Sequence, residues 1–180
     1  MAKGYQSNNR KQLPKYLEKS EIESILNIAK KHRYRDYIIL LTLWRTGIRN
    51  SELVHLKKKD IMESTLIVRN GKGHKDRVVP LEKELGNLLG LYSDNKKQEN
   101  CLFPLTMRQI RNIVYKYSVD RENVSPHTFR HSFAVYCLKQ GMNLENLRRI
   151  LGHSNLNTTQ VYLDLAGKDT IEEFEKIDWN

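Results

Sequence analysis

The chain has 180 residues, with 31 Lys or Arg against 21 Asp or Glu, a net charge of +10 and a pI of about 9.6. That length suits one domain, and 39% hydrophobic residues suffice for its core. The charge points to a polyanionic partner, nucleic acid first and a membrane surface second, while no run of 18 apolar residues exists to cross a membrane.

The opening "MAKGYQSNNRKQLPKYLEKSE" lacks an apolar signal core, and residues 1–19 are polar and basic. They read as a flexible arm or linker. Ser20-Glu21-Ile22-Glu23 matches a capping box, and Ile22, Ile25, Leu26 and Ala29 follow at helical spacing. "YRDYIILLTLWRTG" is a second, strongly apolar helix that stops at Gly47, a plausible C-cap. Asn50 or Ser51 then caps a short turn carrying Glu52, Leu53 and Leu56.

After Lys59 the pattern changes. "STLIVRNGKGHKDRVVPL" is rich in β-branched residues, with Asn70-Gly71 between two apolar runs, and predicts a β-hairpin with a basic tip. "DIM" is a candidate third short strand. From Glu82 the helical period returns, with helices expected over 82–91, 106–118, 127–140, 144–151, 158–165 and 170–177. The fold class is therefore mostly α with a small antiparallel β-sheet. Cys101 and Cys137 stand alone, fit no metal spacing, and read as reduced packing residues of an intracellular protein.

Four stretches carry groups able to do chemistry. In "RTGIRNSEL", Arg49 follows a glycine turn and Glu52 lies three residues on. A carboxylate there would fix the guanidinium for bidentate phosphate recognition. "GKGHKDRVVP" sets Lys72, His74, Lys75 and Arg77 on the hairpin tip, a basic finger able to reach nucleic acid. A lysine there could also donate a proton, because its pKa is tunable where that of arginine is not. In "SPHTFRHSFAVY", His127, Arg130 and His131 share one helix face, with Phe129, Phe133 and Tyr136 on another. His131 reads as a supporting group. "LGHSNLNTTQVYLDL" supplies His153 and Tyr162 on a short amphipathic helix with Thr158 or Thr159 near its start.

No metal or cofactor motif emerges: there is no H-E-x-x-H, no G-x-x-x-x-G-K-[ST] loop and no nucleophile elbow. Two arginines, two histidines, a lysine and a tyrosine in a very basic protein form a set for metal-free phosphoryl transfer. Arginines would neutralise the phosphorane charge and tyrosine would serve as nucleophile.

Taken in order, the four stretches resemble the catalytic domain of the tyrosine recombinases, the phage integrase family, over roughly residues 12–166. "TGIRNSEL" resembles the first arginine box, with Arg49 on phosphate and Glu52 as its supporting acid. "GKGHKDRVVPL" resembles the hairpin box, with Lys72 as the catalytic lysine. "HTFRHSFA" resembles the H-x-x-R box, with His127 and Arg130. "LGHSNLNTTQVY" resembles the last box, with His153 in the histidine-or-tryptophan position and Tyr162 as nucleophile. The resemblance implies the recombinase catalytic-domain fold over residues 20–180 and a site-specific recombinase or integrase acting on double-stranded DNA. Strands would be cut and rejoined through a 3′-phosphotyrosyl bond, without metal, ATP or another cofactor. Lys75 and Arg77 would touch DNA, and the site would be cytoplasmic, on DNA.

Full-length members usually carry a helical domain ahead of this one, and the two clamp DNA as a C shape. With about 19 residues before the first cap, the expectation is a catalytic domain cut out of a longer chain, or a minimal protein. "DTIEEFEKI" places Ile171, Phe174 and Ile177 on one stripe of a tail helix within 168–180. The resemblance suggests that such a tail docks on a neighbouring protomer within a tetramer on DNA. Two other readings compete: a type IB topoisomerase, and a DNA-binding regulator that kept the fold and lost the chemistry. A complete catalytic set argues against the regulator, and the short chain argues against the topoisomerase.

Overall fold

In the computed structural model, which describes residues 14–69, 76–119, 121–153, 159 and 161–163, the first helix is α1 (Lys19–His32). Its cap is not the expected Ser20–Glu23 box. Glu18 holds the cap position, and the Glu21 carboxylate accepts the Glu18 N–H at 2.9 Å. The physical reason lies just upstream. Leu17 is buried and donates its N–H to Ser132 Oγ at 2.8 Å, and Glu18 pairs with Lys139. Residues 14–18 are thereby laid against the rest of the domain, so the helix starts two residues early. Residues 1–13 of the expected arm lie outside the described residues.

The centre of the molecule is α2 (Tyr34–Thr46), buried from Ile38 to Trp44 and again at Thr46. It is covered by α1 and by three later helices, α4 (Lys83–Ser93), α5 (Met107–Tyr117) and α6 (Pro126–Lys139). Gly47 ends α2 in the left-handed region at φ 61°, with its N–H on Leu43 O. A side chain is excluded there twice over, since a Cβ would stand 2.3 Å from Cδ1 of Phe133.

One turn of helix, α3 (Asn50–Leu53), follows. The expected cap at Asn50 or Ser51 moves back to Arg49, because Glu52 reaches back to accept the Arg49 N–H at 2.7 Å. The hairpin is as expected: β1 (Thr65–Val68) pairs antiparallel with β2 (Arg77–Pro80), with Leu66 opposite Val79 and Val68 opposite Arg77. Leu66, Val68 and Val79 face the core. The candidate strand at "DIM" shrinks to a single bridge between Ile61 and Leu66, since Asp60 closes a 3-10 turn, Lys58–Asp60. The tip, 70–75, lies outside the described residues.

Ser125 caps α6 through Thr128, and Pro126 takes the first helical position, where its missing N–H costs nothing. α7 (Leu144–Leu151) starts at the Asn143 cap and ends at Gly152, φ 66°. Residue 159 and residues 161–163 are helical, within the expected 158–165. The expected helix over 170–177 lies outside the described residues. The architecture is thus mostly α with one two-stranded antiparallel sheet among the described residues, and none of their helices is long and apolar enough to cross a membrane.

Candidate active site

The end of α7 carries backbone carbonyls that have no partner within the helix, at the negative end of its dipole. Three arginines from three other elements fill those positions. Arg77, opening β2, donates Nε–H to Ile150 O at 2.7 Å. Arg130, one turn into α6, donates to Leu151 O at 2.7 Å and to Gly47 O at 2.6 Å. Arg49, behind α2, donates to Gly152 O at 3.3 Å. The two left-handed glycines therefore turn their carbonyls onto the two arginines of the candidate phosphate site.

One acid joins this cluster. Glu52 accepts Arg49 Nη1 at 2.8 Å and grips both terminal nitrogens of Arg77 at 2.7 and 2.8 Å. Burial alone would raise its pKa, but hydrogen bonds and charge from Arg77, with those from Arg49, hold it at about 2. Three guanidiniums against one carboxylate leave two positive charges in surplus. Backbone carbonyls orient the arginines without neutralising them, so the surplus remains available to an anion. Arg130 is 4% exposed. Burial and the neighbouring Arg49 charge bring it down to about 10, which leaves it protonated at neutral pH.

His153 is placed by two bonds. Its Nε2 lies 2.8 Å from Arg130 Nη2 and its Nδ1 lies 2.9 Å from Thr159 Oγ1. A guanidinium only donates, so Nε2 must accept, and Nδ1 carries the proton and gives it to Thr159. Burial and the Arg130 charge push His153 down to about 3, consistent with that neutral tautomer. In this arrangement His153 has no N–H left for a phosphate oxygen. To donate one it must give up Arg130 and change tautomer.

Tyr162 is 3% exposed, with its ring between His131 (centroids 5.6 Å apart) and His153 (6.4 Å). Its hydroxyl meets His131 Nδ1 at 2.8 Å. Burial raises the phenol pKa, and the charges of Arg130 and Arg49 oppose that without overcoming it. His131 is pushed down to about 4 by burial, His127 and Arg130, so it is neutral. His127, on the first turn of α6, is exposed; partial burial and the Arg130, Arg49 and Arg111 charges lower it. Its ring stacks on that of His131, 6.5 Å away.

Six of the residues singled out from sequence, Arg49, Glu52, His127, Arg130, His153 and Tyr162, thus gather with His131 at one place. Arg77 joins them in a different role from the one expected. It is not on the hairpin tip. It opens β2 on the same inward face as Val79, and its side chain is spent on Glu52 and Ile150 O. Period-two alternation in "RVVP" was the available signal. Thr159 and the Gly47 and Gly152 carbonyls are further members of the site. Lys72 and Lys75 lie outside the described residues. Among the described residues, no group of three or more His, Cys, Asp or Glu is placed to hold a metal.

The sequence model described as the phage integrase family matches residues 15–168. The chain is 39% identical over 179 residues to tyrosine recombinase XerA of Pyrococcus horikoshii, a match covering 92% of this chain and 62% of that protein. It therefore spans less than two thirds of that relative. Among solved structures, XerH site-specific recombinase bound to difH substrate superposes with a TM-score of 0.74 at 27% identity, over 94% of this chain and 54% of that one. The catalytic domain of bacteriophage HP1 integrase superposes with a TM-score of 0.72 at 28% identity, over 91% of this chain and 95% of that one. The helices and hairpin described above form the tyrosine recombinase catalytic-domain fold. By sequence and by fold, the chain belongs to the phage integrase family of tyrosine recombinases.

Proposed function

We propose that this chain is the catalytic domain of a site-specific DNA recombinase that cuts and rejoins strands through a 3′-phosphotyrosyl intermediate. The observation that carries the proposal is a buried tyrosine hydroxyl beside oriented, un-neutralised guanidiniums: Tyr162 with Arg49 and Arg130. Arg49 and Arg130 hold the scissile phosphate and stabilise the charge that grows on its oxygens. Tyr162 Oη attacks phosphorus, and the 5′-oxygen leaves with a proton from Lys72. His127 assists proton transfer, and His153 donates to a non-bridging oxygen once it has released Arg130. A 5′-hydroxyl from another strand reverses the attack. Bond energy is stored in the phosphotyrosine, so neither ATP nor metal enters.

The partner is double-stranded DNA. α5 turns Arg108, Arg111 and Lys116 to solvent, and Arg111 lies close enough to depress His127. Lys75 contacts DNA from the hairpin tip. The domain comprises residues 20–180, preceded by a basic arm, and its tail over 168–180 docks on a neighbouring protomer in a tetramer on DNA. Deleting 168–180 then impairs strand exchange more than cleavage of a suicide substrate. Strand exchange between two sites, assayed beside supercoiled-plasmid relaxation, tests the reading. Relaxation without exchange favours a topoisomerase, and binding with neither favours a regulator.

A further inference from the structure

Tyrosine must lose its proton as it attacks phosphorus, and the group that receives it has to touch the phenol. His127 is an obvious candidate by position in its box, yet it is exposed at the start of α6. His131, one helical turn on, is the group in hydrogen-bond contact: its Nδ1 lies 2.8 Å from Tyr162 Oη. We propose that His131 is the catalytic base that takes the Tyr162 proton in the cleavage step and returns it on rejoining, a role resting on the recombinase reading above.

The step balances as follows. The Tyr162 O–H bond breaks and its proton passes to Nδ1 of His131. Oη forms a bond to phosphorus, the P–O5′ bond breaks, and the 5′-oxygen takes a proton from Lys72. Rejoining returns both protons along the same paths.

Three features of the site suit the role. The partner nitrogen must be unprotonated, and burial, His127 and Arg130 keep His131 neutral down to about pH 4. The ring is held rather than free, since His127 stacks on it from its own helix and Tyr162 covers its other side. The surroundings also change in the right direction on binding. The charged and titratable groups acting on His131 among the described residues are His127 and Arg130 on α6, His153 after α7, and Tyr162 itself. None is an anion in the free protein. A DNA phosphate held by Arg49 and Arg130 would be the first negative charge nearby, and it makes His131 more basic as the substrate arrives.

A rival explanation for the same bond is that His131 merely parks the nucleophile. The two differ in sign: removing a parking bond speeds cleavage, and removing a base slows it. His131→Asn keeps an acceptor oxygen near Nδ1 but cannot take up a proton. The probe is a pool of nicked duplexes with a randomised central region, with adducts recovered in detergent. For this variant the initial rate of covalent adduct formation falls roughly 100-fold to 10,000-fold, with DNA binding and melting temperature unchanged. The pH profile loses its acid-side limb. A fluorinated tyrosine of lower pKa placed at 162 restores part of the rate in the variant and little in the wild type. If the asparagine variant does not fold, His131→Gln carries the same comparison. Wild-type or faster cleavage by a folded variant overturns the base assignment. A wild-type protein that forms no adduct overturns the recombinase reading, and this one with it.

Discussion

Arg77 holds the Glu52 carboxylate through both terminal nitrogens, at 2.7 and 2.8 Å, while its Nε is tied to Ile150 O. The pair joins the hairpin to α3 and to the end of α7, and Glu52 in turn orients Arg49. A residue on a basic hairpin is thus internal to the site, not facing DNA.

Arg77→Ala leaves Glu52 half-satisfied and Ile150 O unpaired. Unfolding free energy in urea drops by about 3 kcal/mol, as expected when one partner of a buried pair is removed. The slope of log affinity for DNA against log salt stays at its wild-type value, because no phosphate contact is lost. A slope shallower by about one unit would place Arg77 on DNA instead.

Acid stability follows from the same carboxylate. Glu52 is held at about 2 against an ordinary value of 4.5. A carboxyl with a depressed folded-state pKa stabilises the fold above its unfolded value. That contribution, roughly 3 kcal/mol, is lost as pH falls from about 4.5 to about 2. His131 and His153 act earlier. Both stay neutral in the fold, at about 4 and about 3, while the unfolded chain takes up protons from near 6.5. Stability therefore declines with pH from about 6.5 downward, before any carboxylate titrates. Urea midpoints at a series of pH values check this, and a flat midpoint between pH 6.5 and 4.5 contradicts it.

Gly47→Ala meets two obstacles, a left-handed backbone at φ 61° and Phe133 Cδ1 at 2.3 Å. The expected loss is about 2–4 kcal/mol. The Gly47 carbonyl that receives Arg130 shifts with it, so cleavage falls further than stability alone accounts for. Thermal melting and adduct yield, measured on the same protein, separate the two effects.

Thr159→Val removes the acceptor that fixes the His153 tautomer. A buried donor left without a partner costs about 1–3 kcal/mol, and His153 becomes free to turn. An NMR titration of the ring should show altered nitrogen shifts in the variant. Unchanged shifts would mean that Arg130 alone sets the tautomer.

Much of this was legible in the sequence, for definite reasons. The helices from 82 to 151 and the hairpin came from periodicity and from glycine, proline and polar caps, and those signals are local. Four chemical boxes in order located Arg49, Glu52, His127, Arg130, His153 and Tyr162, which converge as expected. The start of α1 was misplaced because Leu17 is pinned by Ser132, 115 residues away. The carbonyl acceptors at the end of α7 leave no mark in a sequence, since every residue type carries one. His131 was visible only as a neighbour of Arg130. Its bond to Tyr162 spans 31 residues and exists only once α6 and residues 161–163 meet. Lys72, Lys75 and the tail over 168–180 fall outside the described residues, so their roles stand as proposals.

The central claim is that Tyr162 becomes covalently joined to DNA with arginines, not a metal, bearing the phosphate charge. Wild-type protein is incubated with nicked suicide duplexes in EDTA without nucleotide, and the adduct is trapped and its DNA end identified. The account predicts protein on the 3′ end, no adduct from Tyr162→Phe, and unimpaired folding and DNA binding in that variant. Adduct formation by Tyr162→Phe, or cleavage that requires magnesium, contradicts it.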